Sequence, residues 1–129
     1  VPEILEGETS LIFVDGAFTH AVHKRPAAGE FRVQRDFGGT IVPLRPDASL
    51  RAFAERALAA VSHAWVYARV DVVRTARGPV LMELELIEPD LFFARAPEAA
   101  DRLAAALIHR AGRAAGAGRV ARPPAAGLT

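Results

Sequence analysis

The sequence predicts an α+β fold: an antiparallel sheet with helices packed on one side, in the order β-β-loop-α-β-β-α. Three observations carry this. Two strand-like segments meet at Asp15-Gly16, two more meet across the short connection Arg74 to Gly78, and an amphipathic helical stretch follows each pair. Connections this short join antiparallel neighbours, whereas parallel strands need a long crossover.

The elements follow in order. Ser10 to Asp15 and Phe18 to Arg25 alternate as strands, and Asp-Gly between them supplies the positive φ angles of a tight hairpin turn. Pro26-Ala27-Ala28-Gly29 ends the pattern, and Glu30 to Thr40, closing on Phe37-Gly38-Gly39, reads as a loop with a short extended piece. Pro46-Asp47 then precedes a helix with Asp47 as N-cap and Leu50, Phe53, Ala54, Ala57, Leu58 and Val61 on one stripe, ending near Ser62. Strands follow at 67–73 (YARVDVV) and 79–89 (PVLMELELIEP). Pro97 suits the first turn of a second helix, with Leu103, Ala104, Leu107 and Ile108 as its apolar face. The text from 112 to 129 is Ala, Gly, Arg and Pro, which predicts a flexible tail behind a domain spanning 1–111.

Bulk properties narrow the class. At 129 residues, 51% hydrophobic and 24% charged, the chain has the makings of one globular domain. A net charge of +1 gives no pull toward a polyanion, and the basic tail lacks aromatic residues for stacking on bases, so nucleic acid is not an expected partner. The absence of cysteine excludes disulfides, thiolate metal sites and a cysteine nucleophile. No apolar run approaches the roughly 20 residues of a membrane helix, and no signal pattern opens the chain; a cytoplasmic protein with no membrane partner is expected. Val1 in place of an initiator Met, with a strand following almost at once, reads as a piece of a longer chain.

The chemistry is concentrated in the second strand pair. Residues two apart in a strand share a face about 6.6 Å apart, so Arg69 joins Asp71, and Glu83 joins Glu85. A register placing Asp71 opposite Glu83 also places Arg69 opposite Glu85, gathering three carboxylates and a guanidinium. Crowded carboxylates need a cation, and an oxygen-only set without Cys or clustered His favours Mg²⁺ or Mn²⁺. The same alternation also describes a solvated sheet face over a core of Val70, Val72, Met82, Leu84 and Leu86, and a slip of one residue would part Asp71 from the glutamates. His20 and His23, three apart in a strand, point to opposite faces and make no metal site. No nucleophile elbow or serine triad is present.

Glu8 to Phe93, about two-thirds of the chain, resembles the C-terminal subdomain of ATP-grasp proteins, in the branch of glutathione synthetase and the ribosomal-protein modification ligases. The resemblance rests on GETSLIFVDGAFTHAVHKRPAAGEFRVQRDFGGT at 7–40, then YARVDVV and MELELIEP. It implies that Arg69 contacts ATP phosphates, that Asp71 is a Mg²⁺ ligand, and that Glu83 and Glu85 are further metal ligands, Glu85 standing where the family has Asn. Lys24, Arg25, Arg32, Gln34 and Arg35 fall in the family's basic stretch, with Lys24, Arg25 and Gln34 as nucleotide contacts and Lys24 and Arg69 as the catalytic cations. Gly38-Gly39 would bring backbone N–H groups to an anion. The family's Pro-Gly turn after the metal strand is replaced by Glu88-Pro89-Asp90.

The function implied is the C-terminal half of an ATP- and Mg²⁺-dependent ligase that joins a small carboxylate to an amine or other acceptor through an acyl phosphate. An N-terminal subdomain carrying the adenine pocket and a glycine-rich lid would complete it, because neither is found here. The alternative is a non-catalytic interaction or dimerisation module of the same shape, as a homo-oligomer.

Overall fold

The computed structural model describes residues 7–26 and 39–117. Five strands, β1 (Glu8–Val14), β2 (Ala17–Arg25), β3 (Thr40–Leu44), β4 (Tyr67–Thr75) and β5 (Gly78–Glu85), form one antiparallel sheet in the order β3-β2-β1-β4-β5. The helices are α1 (Ala48–Ala59) and α2 (Pro97–Ala117), the latter preceded by a short 3-10 turn at Phe93–Arg95. The antiparallel α+β architecture is as expected. The third strand is the addition: β3 begins at Thr40, where a loop was expected to end. It sits on the sheet edge, where Pro43 can forgo a ladder hydrogen bond. The loop from Pro26 to Thr40 otherwise falls mostly outside the described residues, as do Arg32, Gln34, Arg35 and Gly38.

Local chemistry explains the boundaries. Asp15 and Gly16 both take positive φ (49° and 79°), which makes the β1–β2 connection the tight turn expected of Asp-Gly. Helix α1 starts where Asp47 Oδ1 accepts from Leu50 N at 2.8 Å, and it stops at Ala60, two residues before Ser62. That hydrogen bond, then Ser49, then the ion pair with Arg74, draw the Asp47 carboxyl from its ordinary 3.8 down to about 2. A carboxylate lowered on folding adds stability above its unfolded pKa and loses it as pH falls through the folded one. Asp47→Ala is therefore expected to lower the melting temperature at pH 7 by about 5 °C. The gap from wild type should narrow on acidification from 3.8 toward about 2, and a pH-independent gap would rule out capping as the cause.

The core lies between α1 and one sheet face. Leu50, Ala54 and Leu58, one turn apart, pack on Leu11 and Phe13 of β1, Ala21 of β2 and Ala68, Val70 and Val72 of β4. Trp65 and Leu84 close its margin. Helix α1 supplies the packing on this face. His20 shares the face of Ile12 and bonds Leu91 O through Nε2 at 2.8 Å, so the segment before α2 crosses the face away from α1. Burial lowers the His20 pKa, against the Leu91 carbonyl and Glu98, which raise it, and the hydrogen bond fastens that segment to the sheet.

Helix α2 begins at Pro97 as expected and runs past Ala111 to Ala117, because alanine is the strongest helix former. Its inner stripe is Ala99, Leu103 and Ala106, while Leu107 and Ile108 are 47% and 74% exposed. The expected apolar face of Leu103, Ala104, Leu107 and Ile108 is thus mostly turned outward. The buried positions of this helix are alanines, and the larger apolar side chains lie on its exposed side. No helix among the described residues is long and apolar enough to cross a membrane.

Candidate functional site

The register of β4 and β5 assembles the site. Asp71 pairs with Glu83 and Arg69 with Glu85, the alignment the sequence pattern anticipates, so all four side chains share the face that α1 does not cover. The pairing shifts by one residue just beyond, between Asp71 and Val72, leaving Met82 as an extra residue in β5. Such a bulge re-aims side chains locally.

Arg69 stands at the centre of the cluster. Its Nη2 lies 2.9 Å from Asp71 Oδ2, 2.9 Å from Glu85 Oε2 and 3.3 Å from Glu83 Oε2. Its Nε donates to Asp71 at 3.0 Å and 3.2 Å, which makes the Asp71 contact a two-pronged one. Burial works against the Arg69 charge, but the Asp71, Glu85 and Glu83 carboxylates outweigh it and raise its pKa. This central position follows from the length of the side chain and its five donors, which let it grip Asp71 on its own strand while reaching Glu83 and Glu85 on β5.

Lys24 enters from β2, across β1. Buried along its stem, it extends Nζ to Asp71 Oδ2 at 3.3 Å and pairs with Glu8 Oε1. Glu8 is a site residue that the sequence pattern passes over, because a single acid at the start of a strand carries no signal until the register puts it opposite Lys24. Gly7, just before Glu8, lets the backbone pass close to β2: it has φ +106°, and a Cβ there would lie 2.6 Å from the Lys24 carbonyl and from the His23 ring. Burial raises the Glu8 carboxyl above its ordinary 4.5 despite Lys24 beside it.

Arg25 is not brought to this cluster. Next to Lys24 along β2, it faces the other side of the sheet, where it lines a cavity of about 330 Å³ with Gly7, Thr9, His23, Leu44 and Arg74. His20 and His23 lie on opposite faces, as the strand pattern requires. Glu88, in the turn that lacks the family's glycine, adopts φ +55°, a left-handed conformation that strains a side chain bearing a Cβ. Downstream, Asp90 accepts from Phe92 N at 2.8 Å and offers its carbonyl to Arg69.

Four carboxylates, Glu8, Asp71, Glu83 and Glu85, therefore surround two cations. The imbalance shows in Glu85, whose carboxyl is raised by burial, relieved by Arg69 and raised again by Glu83. An oxygen-only donor set short of positive charge fits a hard divalent cation. Among the described residues, no three such groups enclose a common cation position, since Asp71 is held by Arg69 and Lys24. Glu83, with 55% of its side chain exposed, is the most open of the four carboxylates.

Comparison with known proteins follows this geometry. No protein-family model matches the chain. The cycloserine biosynthesis protein DcsG of Streptomyces lavendulae is 38% identical over 121 residues, covering 81% of this chain and 38% of that protein. The crystal structure of D-cycloserine synthetase DcsG superposes with a TM-score of 0.72 at 36% identity, over 85% of this chain and 40% of that one. D-alanine–D-alanine ligase from Bacillus anthracis, complexed with ATP, shares the fold with a TM-score of 0.58 at 23% identity, over 84% of this chain and 38% of that one. The chain spans about two-fifths of the length of these relatives.

Proposed function

We infer that this chain, a member of the ATP-grasp family homologous to D-cycloserine synthetase, forms the phosphate- and metal-binding half of an ATP-dependent ligase. The observation that carries this is Arg69 bridging Asp71, Glu83 and Glu85 on the sheet face away from α1, with Lys24 behind it and Glu83 exposed at the rim. A purely structural ion pair would have no use for a partly exposed glutamate pair that the charge balance leaves short of cation.

Each residue's work follows from its position. Arg69 and Lys24 would pass from carboxylate to phosphate oxygens, stabilising charge on the transferring group. Glu83 and Glu85, with Asp71 beneath them, would hold Mg²⁺ or Mn²⁺. The bound ion would neutralise the phosphates and keep the γ-phosphoryl in line. The γ-phosphoryl moves to a carboxylate oxygen, giving ADP and an acyl phosphate. An amine or other nucleophile then attacks the acyl carbon, and inorganic phosphate leaves with the electron pair of the broken bond. Arg25 faces away and Gln34 lies outside the described residues, so neither enters this scheme. The cytoplasm, where ATP and amino acids are abundant, suits such a reaction.

Glu83→Gln tests the reading. In the full-length protein the substitution is expected to lower kcat on the order of a hundredfold. The melting temperature should hold or rise, because this half-exposed carboxylate repels its neighbour when no metal is bound. Equal losses of stability and activity would make the cluster structural. The alternative, a non-catalytic interaction module, has in its favour the exposed Ile87, Leu107 and Ile108. On that reading Glu83→Gln leaves every partner contact and every measured property unchanged.

A further inference from the structure

We propose that Ser10 is a positioning residue for Asp71 in the nucleotide-bound state, an inference that rests on the function proposed above. Ser10 is fully buried and its hydroxyl has no hydrogen-bond partner among the described residues. Buried hydroxyls are bonded in the great majority of cases, since an unmet donor forfeits its hydration for nothing. Ser10 also lies directly opposite Asp71 in the β1–β4 register, on the same face, with Val22 on its other side. Residues so paired have Cβ atoms about 5 Å apart, within reach of a hydroxyl and a carboxylate. The idle donor therefore borders the most deeply buried acid of the site.

Ligand binding gives that donor a purpose. Asp71, 1% exposed, is held in this state by Arg69 and Lys24, the two cations that phosphates would recruit. When they turn to phosphate, the buried carboxylate is left without donors unless another group replaces them. The Ser10 hydroxyl can rotate to donate to one Asp71 oxygen with no backbone movement. The second oxygen is then free to face the metal. Alanine at position 10 would pack as well in the ligand-free state and would fail in the loaded one.

The test compares wild type, Ser10→Ala and Ser10→Cys in the full-length protein by thermal melting without ligand and by calorimetric titration with ATP over a range of Mg²⁺. Ser10→Ala is expected to melt within about 2 °C of wild type. Its affinity for ATP should fall roughly tenfold, as should its apparent affinity for Mg²⁺. Cysteine, a weaker donor of similar size, should lie between. Unchanged binding in Ser10→Ala beside a wild type that binds would overturn the proposal alone. A lowered melting point with unchanged binding would show a packing role and overturn it too. A folded wild type that binds no ATP at any Mg²⁺ concentration would remove the functional reading and this inference together.

Discussion

Arg69→Met is expected to destabilise the fold by about 3–5 kcal/mol, the usual penalty for removing one partner of a buried ion pair, and to abolish nucleotide binding. Asp71 would be left buried with Lys24 alone, and Glu83 and Glu85 would face each other unbridged. The loss should depend on pH in a defined direction. A carboxyl whose folded pKa is raised, as that of Glu85 is, favours the folded state below its unfolded pKa and withdraws that support as pH rises through the folded value. The variant's deficit should thus be smaller near pH 4 than at pH 7. Arg69→Lys keeps the charge but loses the fork that grips Asp71 while reaching β5. It should recover part of the stability and little of the binding. Urea denaturation at the two pH values decides the matter, and a deficit under 1 kcal/mol at both would mean that the cluster is solvated and weakly coupled.

The contrast between what could and could not be read from the residues has a physical basis. The register of β4 on β5 was legible because alternating apolar and charged residues fix which face each strand buries, and a short turn leaves few alignments. Asp15-Gly16 announced its hairpin through the one backbone conformation it favours. Helix α2 misled, because Leu107 and Ile108 carry the hydrophobicity while Ala99 and Ala106 make the contact. Strand β3 was hidden by Pro43, which only an edge position tolerates. In the site, Asp71 with its two glutamates was visible as an acidic cluster, yet Glu8 and the bridging role of Arg69 emerge only when four strands are laid side by side. Both depend on cross-strand neighbours distant in sequence, which no local pattern encodes.

The 129-residue chain by itself is expected to bind ATP weakly and to turn it over at no measurable rate. Two cations and the carboxylates around them can meet the phosphate end, but the accessible rim of the cluster is Glu83 and Glu85, and no described residue encloses a base or shields the reacting atoms. Phosphates there compete with bulk water for the same donors, and each donor is already engaged by a carboxylate that must be displaced. Binding should accordingly be on the order of millimolar and should require Mg²⁺, since triphosphate and carboxylates otherwise repel. Coverage of only 38% of the homologous cycloserine protein is consistent with the remaining enclosure coming from elsewhere in such enzymes. Titration calorimetry with ATP and Mg²⁺, beside a phosphate-release assay with mixed amino-acid acceptors, measures both quantities. Micromolar binding or steady turnover by this chain would show that the site closes on its substrate unaided, and that a half-site is the wrong description of it.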